Sequence, residues 1–473
     1  MGEEHDGAIG EARIVGMGVS EEVPDFLQNI FGSAGLNKRE KNELIKTYLG
    51  VKNLGDTART YKRFPYTFNK AMSKALEDLS KRAKNIKKTS EPEGAPINYS
   101  LDDEGSTFED ALFGGEFDLN GDTIRAVIES VSPHQQGVMM IGAGICPTGG
   151  SYTIFSVYTR KEDRVHASSI FEIVDDYMGE KNPLKGKIID INGEEEDFGD
   201  YDWEDLAIPD YFRTEVEENI ILPVKYHDKF RAANLRIPRG LMLEGERGMG
   251  KTLLSRIISN KLKGSGTFIR AKPSDIQRMG WEYVFEIARA LEPSVLYIED
   301  IETLTPAKQR FDGMFSSVGE ASLTDALDYI DGTEERSNVM ILASTNVPEL
   351  VELGVIDRPG RIDRRLVFDP NNAKDFGTEW KEEVFRIHLR GHKLEDGLDV
   401  SKLASMIGER PYTGSHIEEL IHTATLEALR SFNIEEKSVD EIKDTALSED
   451  DFRRAKERVE RIVRRTFGNP EVS

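Results

Sequence analysis

The chain has 473 residues, 38% of them apolar and 31% charged, with a net charge of -24 and a pI near 4.9. That balance fits a soluble globular protein and argues against broad, sequence-independent binding to nucleic acid, which needs many Lys and Arg side chains to neutralise phosphates. A single cysteine, Cys146, excludes an intramolecular disulfide and a multi-thiolate metal site.

The opening Met1-Gly2-Glu3-Glu4-His5-Asp6 is acidic where a secretory signal is basic and then apolar, and no run reaches the ~18 apolar residues of a membrane span. A cytoplasmic location with no membrane contact is expected. From Val23 to Lys88 the apolar spacing is helical, as in Phe68, Met72, Leu76 and Leu79, predicting a helical region over residues 1–90. Thr89 to Asp110 is rich in Pro, Gly, Ser and acid without periodicity, and predicts a linker over 91–110. Short β-branched and aromatic runs at Val138–Ile141, Tyr152–Tyr158 and Lys187–Ile191 predict a β-containing domain over 111–195. Gly142-Ala143-Gly144 with Gly149-Gly150 is no dinucleotide fingerprint, because strand-like Ser151–Tyr158 follows it. Asn192–Asp202, with Glu194, Glu195, Glu196 and Asp197 in a row, is expected to be a solvated hinge.

After Tyr201 the buried runs Gly240–Leu243, Thr267–Arg270, Val295–Ile298 and Val339–Ala343 alternate with amphipathic helices. This predicts an α/β core over 196–378 with a parallel sheet covered on both faces, followed by a helical lid over 379–473. The basic run Arg453–Arg465, interleaved with Glu457 and Glu460, predicts a solvated helix face.

Gly245-Glu246-Arg247-Gly248-Met249-Gly250-Lys251-Thr252 fits G-x-x-x-x-G-K-[ST] between a strand and a helix. In that setting backbone N–H groups wrap a β-phosphate at the positive end of a helix, Lys251 reaches the β and γ phosphates, and Thr252 holds Mg²⁺. Val295-Leu296-Tyr297-Ile298-Glu299-Asp300 is an apolar strand ending in two carboxylates. A parallel strand beside the phosphate loop would deliver them to Mg²⁺ and to an attacking water.

These motifs, with those that follow, resemble the AAA family proper, the clade of katanin, spastin, the proteasomal ATPases and the ubiquitin-segregase ATPase. The resemblance runs from about Tyr201 to Arg430 and implies a P-loop AAA+ core that binds ATP and Mg²⁺. It implies that the backbone of Asp205, Leu206 and Ala207 lies against adenine. Around the phosphates it places Gly245, Arg247, Gly248, Met249, Gly250, Lys251, Thr252 and Leu253. It implies that Glu299 supports the metal with Thr252, that Asp300 orients the attacking water, and that Asn346 helps hold that water. In Asp357-Arg358-Pro359-Gly360-Arg361-Ile362-Asp363-Arg364 it marks Arg358 and Arg361 as arginines acting on a neighbouring subunit's ATP, and it brings His388, Gly414 and Ser415 over the nucleotide from the lid.

Three departures stand out. The second motif reads Glu299-Asp300 where the family usually has Asp then Glu, an order also found in the mitochondrial translocase of folded iron-sulfur protein. The phosphate loop has Glu246-Arg247 where Pro-Pro is common and Met249 where Thr is common. The substrate-gripping loop has only Arg278-Met279-Gly280-Trp281 as an equivalent, with Phe311-Asp312-Gly313-Met314-Phe315 as a second pore-facing candidate. The expected function is a Mg·ATP-dependent homo-oligomeric ring, hexameric by resemblance, that remodels, disassembles or translocates a protein chosen through residues 1–195. The alternatives are a nucleotide-gated scaffold or assembly factor and, disfavoured by charge, a nucleic-acid motor.

Overall fold

The structure is a computed structural model. The residues described are 49–88, 111–119, 122–131, 152–164, 167–233, 235, 240–304, 338–351, 364–430 and 444–467, with positions 42, 43, 45, 46, 362, 438, 439 and 442. They divide into two units: the first runs to Pro183 and also takes in Arg278–Ala290, the second comprises Leu184–Gln277 and everything from Leu291 onward.

The first unit is built on an antiparallel sheet of strands β1 (Thr57–Pro65), β2 (Ala83–Lys88), β3 (Ala111–Leu119), β4 (Asp122–Val131) and β5 (Tyr152–Arg160), in the order β1-β5-β4-β3-β2. Thr57 pairs with Arg160 and Pro65 with Tyr152, so β1 runs the full length of β5. Strand alternation sends Phe155 and Val157, both fully buried, to one face. There helices α1 (Asn69–Arg82) and α2 (Ala167–Met178) cover the sheet: Phe155 meets Phe171 edge-on at 5.4 Å, and Lys62 Nζ reaches Asp175 at 2.6 Å. Tyr152 points the other way and meets the helix Trp281–Ala290. Its ring stands edge-on to Tyr283 at 5.2 Å, its hydroxyl donates to Glu286 Oε2 at 3.1 Å, and the Tyr283 hydroxyl lies 3.2 Å from Thr67 Oγ1.

Two expectations change here. The helical reading of 1–90 fits Asn69–Arg82, but Thr57–Pro65 and Ala83–Lys88 are strands of the same sheet as 111–160. Their pairing partners lie far away in sequence, so local spacing does not reveal them. Lys187–Ile191 is a strand, yet β6 (Ile188–Asp190) belongs to the second unit, paired with β8 (Thr267–Ala271). The linker 91–110 and the run Val138–Ile141 lie outside the described residues, as does Cys146.

The second unit has a six-stranded parallel sheet that adds β7 (Gly240–Gly245), β9 (Ser294–Ile298), β10 (Val339–Thr345) and β11 (Arg364–Phe368), in the order β11-β7-β10-β9-β8-β6. Burial is complete or nearly so along β7, β9 and β10, as their continuous apolar runs require for a sheet covered on both faces. The expected neighbour relation is refined: β9 does not pair with β7, because β10 lies between them and bonds both. The acidic stretch after β6 is tied down, with Glu196 bonding Arg270 and Glu195 bonding Lys187 at 2.5 Å.

The lid comprises α4 (Thr378–His388), α5 (Val400–Ile407), α6 (Gly414–Arg430) and α7 (Glu449–Phe467), with Lys393–Leu394 pairing in parallel with Ala446–Leu447. Lys381 is buried and donates to the carbonyls of Gly408 and Arg410, satisfying the turn that ends α5. The basic run on α7 is engaged within the chain: Arg458 reaches Glu427 on α6 at 2.7 Å and Arg454 reaches Asp451 at 2.5 Å.

Candidate nucleotide site

The phosphate loop leaves β7 and enters α3 (Lys251–Leu262), so the first N–H groups of a helix face the loop. Gly250 caps that helix at φ +95°, and a Cβ there would lie 2.5 Å from Leu206 Cδ1. Gly248 holds φ +78°, with Ser415 Oγ 2.5 Å from where its Cβ would be, and its carbonyl accepts the Ser415 N–H at 3.1 Å. Only glycine allows this close approach of base-side segment, loop and lid. Lys251 is 7% exposed and donates to the carbonyls of Gly245 at 2.5 Å and Glu246 at 2.8 Å. Burial pushes its ammonium down to about 8, against the opposing charges of Asp300 and Glu246.

At the ends of the neighbouring strands the second motif meets the loop. Thr252 Oγ1 donates to Glu299 Oε1 at 2.9 Å. Asn346, just past β10, donates from Nδ2 to Asp300 Oδ1 at 2.7 Å. Asp300 sits at φ +50°, a left-handed conformation that costs a non-glycine residue ~1–2 kcal/mol. Burial raises the proton affinity of its carboxyl, and the charges of Glu302 and Glu299 raise it further.

On the base side, Trp203–Asp205 is one tight turn fixed by a reciprocal cap: the Asp202 side chain accepts the Trp203 N–H at 2.6 Å, and Asp205 Oδ2 accepts the Asp202 N–H at 3.0 Å. The lid grips this segment twice. Trp380 Nε1 donates to the Ala207 carbonyl at 2.9 Å, and Arg390 bonds Asp205 Oδ1 at 2.5 Å and the Glu204 carbonyl. These donors lower the proton affinity of Asp205, the Asp202 N–H most. An aromatic chain, Phe368–Phe376 at 6.2 Å and Phe376–Trp380 at 5.4 Å, carries the lid helix back to the sheet.

The result is an open cleft of about 460 Å³. It brings together Asp205, Leu206, Ala207, Arg247 to Leu253, Glu299, Asp300, Asn346, His388, Gly414 and Ser415. Gly245 lies behind it, bonded through its carbonyl to Lys251. Arg358 and Arg361 lie outside the described residues. Sequence reasoning missed Ser344, Trp380, Val384 and Glu418, which also line the cleft. Trp380, Val384, Ile387 and His388 are spaced i, i+4, i+7, i+8, one face of α4, and that periodicity was the available signal. Burial lowers the proton affinity of His388, against the charge of Glu418.

Thr252 and Glu299 suit a small hard cation, which takes one hydroxyl, one carboxylate and phosphate oxygens instead of a dense protein cage. Among the described residues no three His, Cys, Asp or Glu side chains gather as a metal cluster.

Residues 241–370 match the family model described as ATPase family associated with various cellular activities (AAA). The chain contains an AAA ATPase domain. The chain is 32% identical over 235 residues to the Cell division cycle protein 48 homolog of Archaeoglobus fulgidus, an alignment covering 48% of this chain and 30% of that protein. To the Proteasome-activating nucleotidase of Methanocella arvoryzae it is 31% identical over 227 residues, 46% of this chain and 51% of that one. To Protein CdcH of Halobacterium salinarum it is 30% identical over 248 residues, 51% and 32% respectively. The chain thus spans about half or less of the length of these relatives. Among the described residues no helix is long and apolar enough to cross a membrane.

Proposed function

We propose that the chain hydrolyses Mg·ATP within a homo-oligomeric, six-membered ring and uses the cycle to remodel or disassemble a protein partner. The observation that carries this reading is the meeting, at the ends of β7, β9 and β10, of Lys251 and Thr252 with Glu299, Asp300 and Asn346. Lys251 and the loop N–H groups bind the β and γ phosphates. Thr252 and Glu299 would hold Mg²⁺, which when bound supplies charge neutralisation at those phosphates. Asp300 Oδ1 is held by Asn346, leaving Oδ2 to orient the attacking water in line with the γ phosphate and to take its proton. The Ala207 region presents backbone to adenine, with Trp380 fixing it from the lid. Arg358 and Arg361 are proposed to act on the neighbouring subunit's nucleotide. A protein substrate is in keeping with the name of one relative, a nucleotidase that activates the proteasome.

Remodelling of a folded partner is favoured over processive threading by the state of the gripping segment. Helix Pro273–Met279 is followed by one residue, Gly280 at φ +81°, and then by helix Trp281–Ala290. Met279 and Trp281 are only 5% and 3% exposed, so the residues nearest to a grip are buried. Phe311–Phe315 lies outside the described residues.

Substitution separates the two acids. Asp300→Asn should keep ATP bound while losing hydrolysis at least ~10²-fold, whereas Glu299→Gln should weaken Mg²⁺-dependent ATP binding. Both effects are read by nucleotide titration and phosphate release. The reverse pattern would assign the opposite roles, and unchanged turnover in both would sink the site. Processive unfolding of a tagged, stable reporter by the wild type would overturn the preference for remodelling.

A further inference from the structure

Glu302 lies two residues beyond the catalytic acid and outside the cleft lining, and it is 9% exposed. Its Oε1 accepts the backbone N–H of Asn346 at 3.3 Å, whereas its buried Oε2 has no hydrogen-bond partner among the described residues. The same Asn346 bonds Asp300 through its side chain. Thr303 closes the arrangement by donating to the Asp300 carbonyl from N at 3.0 Å and from Oγ1 at 2.9 Å. The ends of β9 and β10 are therefore joined at two levels: side chain to side chain at the water-orienting acid, and side chain to backbone one step behind it.

A buried carboxylate with one oxygen unsatisfied is a poor way to stabilise a fold, since an apolar residue of the same volume avoids the desolvation cost. Groups of this kind that persist call for an explanation beyond packing. Here the explanation is geometric. Asn346 must present its amide to Asp300 while standing at the frayed end of a strand, where the ladder no longer fixes its backbone, and Glu302 supplies the missing acceptor. Errors of ~1 Å in such a position cost ~10²-fold in rate.

Resting on the hydrolysis proposed above, we propose that Glu302 is a positioning residue that acts through Asn346. It touches neither phosphate nor water. Its effect is to hold the Asn346 backbone so that the side chain keeps Asp300 oriented.

The test is a double-mutant cycle on the full chain, with turnover read by phosphate release and affinity by a fluorescent ATP analogue. Glu302→Ala should lower kcat ~10- to 100-fold and leave nucleotide affinity within about twofold. Glu302→Gln, which keeps an oxygen acceptor for the Asn346 N–H, should restore turnover to within about threefold of wild type. In the Asn346→Ala background, Glu302→Ala should add nothing, because the group it positions is gone. If Glu302→Ala does not fold, Glu302→Met fills the space without an acceptor and should show the same loss. Additive losses, a loss of affinity that parallels kcat, or a glutamine variant as slow as alanine would each overturn the inference. Wild-type protein that binds but never hydrolyses ATP would instead overturn the hydrolysis reading, and this inference with it.

Discussion

Lys251 is the residue at which burial, charge and ligand meet. Its ammonium is held at about 8 by desolvation, well below the usual lysine range, and its nearest acceptors are two loop carbonyls. Phosphate charge favours the protonated form, so the bound complex keeps the proton at a pH where the free protein has begun to lose it. The sign follows: ATP binding takes up a proton as pH rises through about 8, and affinity declines above that point. Calorimetry in buffers of different ionisation heat should find uptake near zero at about pH 7 and rising toward one proton at about pH 9. Uptake that stays at zero would show Lys251 fully charged throughout. The residue itself was legible from the glycine pattern. Its depressed proton affinity was not, because it comes from burial in the folded chain and persists against the opposing charges of Asp300, Glu246 and Glu302.

The elements differ in how much the chain announces them. β9 and β10 are legible because each is buried on both faces and so reads as a nearly unbroken apolar run. β1 is not, since Thr57, Arg59, Tyr61 and Arg63 alternate with residues that face α1 and α2, and half of the strand looks polar. Asp205–Ala207 was expected beside adenine by resemblance alone, whereas the lid donor that bonds the Ala207 carbonyl was hidden in α4. Trp380 tests that link. Trp380→Phe keeps the ring contact with Phe376 but leaves the Ala207 carbonyl without its indole donor, at a cost of ~1–2 kcal/mol. Nucleotide affinity should fall ~5- to 30-fold with the midpoint of thermal unfolding lowered by a few degrees, as read by analogue titration and calorimetry. Loss of stability with unchanged affinity would confine Trp380 to the lid core.

At the scale of the whole molecule, the ring proposed above would make hydrolysis depend on neighbouring subunits. Arg361→Ala should bind ATP without hydrolysing it, and Lys251→Ala should fail to bind. Mixed together, the two should recover part of the turnover, because some interfaces then pair an intact phosphate loop with an intact arginine; an arginine supplied in trans is worth ~10³ to 10⁵ in rate. Absence of recovery, with subunit exchange demonstrated, would place the arginines within their own subunit.

The helix Trp281–Ala290 makes the first unit of this protein impossible to excise with one cut. A fragment ending at residue 195, the natural choice from the sequence, carries Tyr152, Thr67 and Arg63 but leaves behind Tyr283 and Glu286, which complete that face of the sheet. Such a fragment should be expressed in insoluble form or melt far below the intact chain. The same fragment with residues 278–290 joined through a flexible linker should be soluble and protected from limited proteolysis along β5. Equal solubility of both would mean that the sheet closes without its borrowed helix. A pull-down for partners is therefore best made with the spliced fragment, since bait prepared by simple truncation would expose a raw apolar face and capture proteins indiscriminately.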